Sequence, residues 1–476
     1  MPTVPALTTG QREIDQAFRI AIGDLWGNIQ PWAGDRDDAP APCILAGLDY
    51  DKPWTRDASF NSWFAGSLVA PDAARNTLLA VLTEDAHGLR IGGQYWDAIL
   101  WVTAAWRHVL CTGDRAFLVT AFDAARNALR YFEATERDPA DGLFRGAACF
   151  QDGIAGYPDR FIDGPTSGIF DWVRAHPDEK APVGFGLPMK ALSTNCLYCN
   201  AYRVLPRMAA ALGVEADPAW AAAGDALAEA IRTHFWNDAT GTFRYLLDAD
   251  EDPARQEGFG HAFALLFGIA DDAQARSVLD RQHLTAHGIP CVWPTYDRYT
   301  DAEGMSFGRH SGTIWPQVNA AWALAAAQAG RRDLAWGELR GLAEKACRDV
   351  HFYEIYHPVT GEAYGGLQES PHAGDGPLVW GSCRRQTWCA TGYMRMVLTA
   401  LFGLRIDADG LALAPDLPAD IESATVEGLH YREATVTLTV ERSGADAGVL
   451  LNGTPRPAAI LPADATGPQH LVVRLP

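Results

Sequence analysis

The sequence predicts a mainly α-helical protein, an (α/α)6 barrel or six-hairpin toroid followed by a small C-terminal antiparallel β domain. Three observations favour this fold class. Apolar residues recur with helical periodicity up to about residue 402. Many predicted helices come in close pairs joined by short turns, the pattern of αα-hairpins. After Leu404, apolar and polar residues alternate between Gly, Pro and Asp turns, as expected for strands.

The helical periodicity can be resolved into separate segments. Asp114, Asp217 and Asp271 stand at N-cap-like positions, and Pro71 and Pro218 occupy first-turn positions. The candidate helices lie near residues 9–28, 57–68, 71–83, 95–112, 114–136, 191–212, 217–236, 259–269, 272–284, 310–329, 331–350 and 386–402. We therefore predict a catalytic barrel over residues 1–403 and a small β-sandwich-like domain over residues 404–476.

Charge and composition exclude several classes of partner. The formal net charge is −20, which repels phosphate backbones, so we expect no nucleic acid partner. There is no apolar run of 18 or more residues, so we expect no membrane span. The N-terminus lacks the pattern of a secretory signal. The nine cysteines are scattered and odd in number, which favours reduced thiols and a cytoplasmic location. Cys196 and Cys199 lack further ligands nearby, so no metal site is predicted.

Four clusters of aromatic and polar residues lie on or beside the long loops between helices, at residues 54–57, 94–101, 309–316 and 386–388. Sugars present flat CH faces for aromatic rings and hydroxyls for hydrogen bonds, so this composition predicts a carbohydrate site. An Arg beside an Asp can hold vicinal hydroxyls, although an ion pair capping a helix is the alternative. The predicted substrate-binding residues in these clusters are Trp54, Arg56, Asp57, Gln94, Trp96, Asp97, His310, Trp315 and Trp388.

Two loops supply carboxyl groups for glycoside hydrolysis. That reaction requires one carboxyl group to protonate the leaving oxygen and another to activate water or attack the sugar. Asp152 has apolar neighbours in sequence, which predicts a raised pKa and a protonated acid. Glu354 lies between Tyr353 and Tyr356, which we expect to orient it. From the residues alone, each of these carboxylates is either catalytic or merely solvated.

In this order the motifs resemble those of a clan of inverting (α/α)6-barrel glycosidases. The clan includes trehalase, the family of processing α-glucosidase and mannosylglycerate or glucosylglycerate hydrolase, and the amylo-1,6-glucosidase domain of glycogen debranching enzymes. The resemblance covers about residues 50–402. YEIYHPVTG, containing Glu354, is similar to the E-x-Y-N-P-x-TG motif of the catalytic base. QTWCATGYM, containing Trp388, resembles the FGW motif. HSGTIWPQVNAAW resembles RGxIWPxxNY, and WTRDASF and WDAILW resemble two earlier motifs.

The position of the general acid is less closely matched. In relatives the acid lies in a loop before a helix that begins with a carboxylate and carries an Asn. Here that helix has Ser193 at the carboxylate position and Asn195, which we predict to bind substrate. CFQDG is similar to the acid motif TWMDA, so Asp152 is the first candidate. Asp163 is the second candidate and Asp159 the third.

The resemblance implies an inverting, exo-acting hydrolase of a small neutral α-glycoside, an α-glucoside or α-mannoside. Asp152 is then the general acid and Glu354 the general base, with no metal or cofactor. Two alternatives of the same fold remain: a sugar phosphorylase, for which Arg384 and Arg385 are candidate phosphate ligands, and a non-catalytic carbohydrate-binding protein. A further hypothesis is an epimerase that uses His310 and His357 as acid and base. The sequence contains no indication of oligomeric state.

Overall fold

The computed structural model describes residues 4–34, 36, 39–162, 167–370 and 376–476. Most residues in regular secondary structure in this part of the chain belong to α-helices. They are α1 (Arg12–Gly27), α2 (Thr55–Asn61), α3 (Ser67–Val69), α4 (Pro71–Ala80), α5 (Tyr95–Ala98), α6 (Leu100–Thr112), α7 (Arg115–Glu136), α8 (Ile169–Ala175), α9 (Leu192–Leu212), α10 (Ala219–Phe235), α11 (Gly258–Leu266), α12 (Asp272–Arg281), α13 (Pro316–Gln328), α14 (Arg332–Asp349) and α15 (Thr387–Ala400). Every predicted helical segment has a counterpart, and α8 was not predicted.

The helix starts follow local capping chemistry. The Asp114 side chain accepts the backbone N–H of Phe117 at 2.8 Å, and Asp271 forms a capping box with Gln274. Asp217 was expected to be an N-cap, but Pro218 takes that position in the structure. Helix α13 begins six residues later than predicted, because Ile314 pairs in an extended bridge with Tyr356 and a proline opens the helix.

Six helices contact one another in a cyclic order. Helix α2 packs against α6, α6 against α9, α9 against α11, α11 against α13, α13 against α15, and α15 against α2. A second set contacts members of the first: α4 packs on α2 and α6, α7 on α6 and α9, α10 on α9, and α14 on α13 and α15. The buried apolar side chains of these helices belong to one continuous hydrophobic cluster.

The strands are short except near the C-terminus. They are β1 (Ala6–Thr8), β2 (Ile29–Trp32), β3 (Ala41–Ile44), β4 (Leu82–Asp85), β5 (Gly88–Ile91), β6 (Lys190–Ala191), β7 (Trp236–Asn237), β8 (Thr242–Phe243), β9 (Leu246–Leu247), β10 (Gln256–Glu257), β11 (Val292–Trp293), β12 (Leu367–Glu369), β13 (Pro377–Val379), β14 (Arg405–Ile406), β15 (Gly410–Ala412), β16 (Ser423–Tyr431), β17 (Glu433–Arg442), β18 (Gly448–Leu451), β19 (Thr454–Arg456), β20 (Ile460–Pro462) and β21 (Thr466–Leu475).

The C-terminal strands correct one expectation. The largest sheet has the order β1-β16-β17-β21-β18-β19, and β17 pairs with β21 in parallel. The sheet is therefore mixed, not antiparallel as predicted. A parallel neighbour requires a long crossover connection, and the segment 443–465, which contains β18, β19 and β20, provides it. Strand β1 extends the sheet from the N-terminal end of the chain, and β16 contacts α3 and α6.

The long loops gather near the N-terminal ends of the cyclic helices. Phe150 and Asp152, in the loop after α7, and Glu354, in the loop after α14, approach the first residues of α2 and α15, where side chains from all four regions line one cavity. In the described part of the chain, no helix combines the length and hydropathy that crossing a membrane requires.

Candidate active site

The cavity at the N-terminal ends of α2 and α15 is lined by aromatic and charged side chains. Its lining residues are Tyr50, Trp54, Arg56, Asp57, Phe150, Asp152, Arg309, His310, Trp315, Glu354 and Trp388. The structure thus brings both predicted catalytic carboxylates together with Trp54, Arg56, Asp57, His310, Trp315 and Trp388.

Asp152 is ion-paired with an arginine from α2. Arg56 Nη2 lies 2.8 Å from Asp152 Oδ2, and the Asp152 side chain remains 43% exposed. Burial favours a higher pKa for Asp152, but the charge and hydrogen bond of Arg56, together with the charge of Arg309, hold this pKa below its ordinary value. The prediction of a raised pKa is therefore wrong for the unliganded site, because the apolar sequence neighbours do not determine the charges around this carboxylate.

The turn that presents Asp152 is fixed from behind by a second carboxylate. Phe150 has a left-handed backbone with φ of 61°, which is uncommon for a bulky residue. Its N–H donates to Asp97 Oδ2 at 3.1 Å, and its carbonyl accepts from Arg56 Nη1 at 2.8 Å. Asp97 is buried and also lies 3.4 Å from Arg56. Asp97 therefore supports the turn and is not part of the cavity lining.

Glu354 is held by two donors on the other loop. Tyr50 donates its hydroxyl to Glu354 Oε1 at 2.9 Å, and Arg309 Nη2 donates to Oε2 at 3.0 Å. The Glu354 side chain is only 3% exposed. The flanking tyrosines expected to orient it do not: Tyr356 uses its hydroxyl to accept the backbone N–H of Tyr353.

Asp57 is a buried carboxyl group without a close cationic partner of its own. Burial raises its pKa well above the ordinary value, although the charge of Arg56 opposes this. Its Oδ1 lies 3.5 Å from Gln386 Nε2. The raised pKa favours the neutral form of this carboxyl group. Arg56 is engaged with Asp152 and Phe150, and the binding of vicinal sugar hydroxyls by Arg56 and Asp57 stays a prediction.

Aromatic rings form the wall of the cavity. His310 stacks on Trp315 with ring centroids 5.1 Å apart and planes 15° apart. Burial lowers the pKa of His310 to about 3, and the charge of Arg309 acts in the same direction, so the imidazole is neutral. Trp388 is buried, whereas Trp54 is 36% exposed, with Lys52 Nζ 4.7 Å from its ring centroid. Trp54 thus offers the accessible ring for stacking.

Besides Asp97, three further predicted substrate-binding residues, Gln94, Trp96 and Asn195, lie apart from the cavity lining. Gln94 precedes α5 as its N-cap residue. Trp96 is fully buried, and its ring packs 4.7 Å from that of Phe170. Asn195 accepts the backbone N–H of Phe144 at 2.7 Å and donates to the Phe144 carbonyl at 3.0 Å. Asn195 also donates to the carbonyl at position 191 at 2.9 Å, so its side chain is fully used in local structure.

The remaining acid candidates differ in position. Asp159 has a side chain that is 77% exposed and paired with Arg298 at 2.6 Å, and it does not line the cavity. Asp163 lies outside the described residues. Of the acid candidates that are described, Asp152 lines the cavity.

Glu257 lies next to Ser193, the residue of α9 that stands where relatives have a carboxylate. Glu257 Oε2 accepts the backbone N–H of Ser193 at 3.0 Å, and the Ser193 hydroxyl accepts the N–H of Cys149 at 2.9 Å. Glu257 is fully buried, and burial raises its pKa to about 8. A carboxyl group thus lies beside the backbone of Ser193, supplied by a residue 64 positions further along the chain.

The other polar groups considered from the sequence lie outside this cavity. Arg384 and Arg385 are both exposed and do not line it, and Arg385 lies 3.6 Å from Asp24. His357 Nε2 is bonded to the Met305 carbonyl at 2.9 Å.

Sequence reasoning missed Tyr50 as a site residue and named Arg309 only as part of a cluster. Arg309 adjoins the predicted His310, which gave a local signal. For Tyr50, the only signal in the sequence was its position in a long loop. The described residues contain no group of three or more His, Cys, Asp and Glu side chains arranged to hold a metal ion, and the cysteines are free thiols.

The comparisons with known proteins identify the class. Residues 99–374, more than half of the chain, match the family model described as the mannosylglycerate hydrolase MGH1-like glycoside hydrolase domain. The chain therefore belongs to this glycoside hydrolase family and is a glycoside hydrolase. The matched range includes Asp152 and Glu354, and the predicted relationship to the six-hairpin glycosidases is confirmed.

Individual relatives are more distant. The mannosylglycerate hydrolase of Rubrobacter radiotolerans is 30% identical over 179 residues, which are 36% of this chain and 39% of that protein. The match thus spans about two-fifths of that relative. A GH63 mannosylglycerate hydrolase from Thermus thermophilus in complex with glucose has a TM-score of 0.56 and 16% identity, over 80% of this chain and 99% of that chain. A GH78 rhamnosidase of Bacillus sp. GL1 has a TM-score of 0.61 and 14% identity, over 99% of this chain and 44% of that chain. The structural likenesses show a shared fold.

Proposed function

We propose that this protein is an inverting, exo-acting hydrolase of a small α-glycoside, with Asp152 as general acid and Glu354 as general base. One observation carries the proposal: two carboxylates, each paired with a different arginine, line the same aromatic cavity. Glycoside hydrolysis uses such a pair, and inverting enzymes leave room between them for a water molecule.

Glu354 is suited to the role of base. Tyr50 and Arg309 each occupy one of its oxygens and fix the plane of the carboxylate. An ionised carboxylate has about four lone-pair positions, so a further position remains to accept a proton from water. Protonation of the leaving oxygen by Asp152 and deprotonation of water by Glu354 complete the exchange without a metal or cofactor.

Asp152 requires a proton before it can act as an acid. In the unliganded site Arg56 favours the ionised form of Asp152. The Asp152 side chain is 43% exposed, so a bound sugar that covers it removes water from the carboxylate. Desolvation raises the pKa of a carboxyl group. We therefore propose that substrate binding shifts Asp152 towards its protonated form.

The substrate class follows from the relatives and the cavity. The Rubrobacter relative is named as a mannosylglycerate hydrolase, which makes mannosylglycerate the first compound to test among α-glucosides and α-mannosides. The aromatic wall formed by Trp315 and Trp388 supports a sugar ring as the bound group.

We also propose finer features of the fold and location. The cyclic contacts of α2, α6, α9, α11, α13 and α15 support a closed (α/α)6 barrel within residues 1–403. The strands of residues 404–476 support a separate small β domain, which strand β1 extends. The free thiols support a reducing, cytoplasmic location.

The test is a hydrolysis screen of wild type, Asp152→Asn and Glu354→Gln. The substrates are mannosylglycerate, glucosylglycerate, trehalose, sucrose and simple α-glucosides and α-mannosides, with the product anomer followed by NMR. We expect an inverted product from wild type and a loss of more than about 100-fold in kcat for each variant. Asp159→Asn is the matched control, because it removes an exposed, ion-paired carboxylate, and it should retain wild-type activity.

Each contrary outcome has a definite meaning. Full activity in Glu354→Gln would refute the assigned base. A product with retained configuration would refute inversion. Formation of a sugar 1-phosphate only when inorganic phosphate is present would identify a phosphorylase, and sugar binding without any turnover would identify a binding protein.

A further inference from the structure

A second cavity opens at the opposite ends of the same helices. It has a volume of about 610 Å³ and is bounded by the C-terminal parts of α6, α11, α13 and α15. It shares no lining residue with the active-site cavity. Its size lies in the range of pockets for small molecules, about 300–1,000 Å³.

The charges around this second cavity have one sign. The arginines in its lining are Arg107, Arg207, Arg332, Arg395 and Arg405. Neither Asp nor Glu occurs in the lining formed by the described residues. The whole chain has a formal net charge of −20. The positive charge around this cavity is therefore a local feature and does not reflect the overall composition.

Three of these guanidinium groups, those of Arg107, Arg332 and Arg395, contain buried nitrogen atoms without a hydrogen-bond partner among the described residues. Arg107 is only 7% exposed, and its Nη2 has no hydrogen-bond partner among the described residues. Nε and Nη1 of Arg395 likewise lack partners there. Burial and the charge of Arg107 both lower the pKa of Arg395. Two neighbouring cations whose nitrogen atoms are buried destabilise a fold unless an anion compensates them.

The rim and the wall indicate the nature of that anion. Arg332 lies 3.7 Å from Asp416 and donates to the Ala414 carbonyl, so it is partly engaged, and only its Nη1 lacks a partner among the described residues. Arg405 and Arg207 are exposed at the mouth, and no ion pair of theirs is found within the described ranges. Apolar side chains such as Trp63 and Leu266 complete the wall. Several unpaired cations match a dianion better than a single carboxylate, and a phosphomonoester carries a charge of about −1.5 to −2 at neutral pH.

We propose that this cavity is a binding site for a small phosphorylated metabolite, with its phosphate held between Arg107 and Arg395 and its organic part against the apolar wall. Arginine suits this role because its planar fork of donors matches phosphate oxygens. The site is independent of the proposed hydrolytic chemistry, because its residues lie at the other ends of the helices.

The test is isothermal titration calorimetry of the full chain with inorganic phosphate and with glucose 6-phosphate. We expect wild type to bind glucose 6-phosphate with one-to-one stoichiometry. Arg107→Gln and Arg395→Gln should each weaken binding by about tenfold or more. Arg456→Gln, which removes an exposed arginine of β19, should bind as wild type does. Glu354→Gln should also bind normally, which separates this site from the active site.

Further measurements keep the proposal falsifiable if a buried variant folds poorly. Arg405→Gln changes only the mouth, and it should weaken glucose 6-phosphate binding measurably without lowering the Tm. Citrate, a carboxylate probe, should bind more weakly than glucose 6-phosphate. The absence of heat and of a Tm shift with either phosphate probe in wild type would overturn the proposal. Equal affinity in Arg107→Gln and Arg456→Gln, or citrate binding as tight as that of glucose 6-phosphate, would also overturn it.

Discussion

Arg56 Nη2 lies 2.8 Å from Asp152 Oδ2, while Nη1 of the same guanidinium donates to the Phe150 carbonyl at 2.8 Å. Arg56 thus fixes the turn that carries the proposed acid. It also stabilises the ionised form of that acid. This arrangement fixes the direction of the carboxyl group but favours its ionised form. The proposed acid is therefore well positioned in the unliganded protein, and substrate binding has to supply the conditions for its protonation.

Replacing Arg56 should raise the pKa of Asp152. In Arg56→Gln the opposing positive charge is lost while burial remains, so the pKa of Asp152 should rise. The measurement is a ¹³C NMR titration of carboxyl-labelled aspartate, with Asp152→Asn used to assign the resonance. Arg130→Gln, which removes an exposed arginine near Asp217, is the control and should leave the Asp152 resonance unchanged. An unchanged Asp152 pKa in Arg56→Gln would show that another group sets its charge.

Removing the Tyr50 hydroxyl should slow catalysis more than it weakens binding. In Tyr50→Phe, Glu354 loses the donor to Oε1 but keeps that from Arg309. We expect kcat to fall about tenfold with little change in KM, because the loss of one positioning hydrogen bond is of the order of 1–2 kcal/mol. Tyr353→Phe is the matched control, since its hydroxyl does not bond to Glu354. Equal kinetics in the two variants would remove Tyr50 from the mechanism.

The sequence was informative where structure depends on local periodicity. The helices over residues 191–212 and 331–350 were predicted because apolar residues recur along one face over many turns. Asp152 and Glu354 were found because each stands in a loop with a recognisable motif. These features can be read from adjacent residues.

Contacts between distant parts of the chain could not be read in this way. Tyr50 and Glu354 are 304 positions apart, and Arg56 and Asp152 are 96 apart. No local pattern indicates such pairs. The tyrosine that orients Glu354 and the direction of the pKa shift of Asp152, the proposed acid, were therefore both predicted wrongly. The parallel pairing of β17 and β21 was missed for a related reason, because alternation of apolar residues predicts a strand and not its neighbour.

Glu257 should make the protein less stable as the pH rises. Burial raises its pKa to about 8 in the folded protein, above the ordinary value of 4.5. Between these two values the folded state binds more protons than the unfolded state, so the free energy of unfolding falls with increasing pH. In Glu257→Gln this dependence is removed, while the amide oxygen can still accept from Ser193. We expect the variant to gain about 3 kcal/mol relative to wild type between pH 5 and pH 8.

Urea unfolding of both proteins at several pH values measures this difference. Glu229→Gln provides the control, because its side chain is 67% exposed on α10, and its stability should follow that of wild type. Parallel pH profiles for wild type and Glu257→Gln would contradict the assignment of a buried, protonated carboxyl group.

Asn195 should prove to be a structural residue and not a substrate ligand. Its amide makes bonds to both backbone groups of Phe144, which precedes the loop that carries Asp152. In Asn195→Ala these buried groups lose their partner, and we expect a loss of about 2–4 kcal/mol in the free energy of unfolding. KM should stay close to that of wild type at temperatures where the variant is folded, because the side chain lies outside the cavity lining. Thermal unfolding and steady-state kinetics of the same preparation check both parts. A large rise in KM with an unchanged Tm would instead place Asn195 in contact with the sugar, as the sequence motif first suggested.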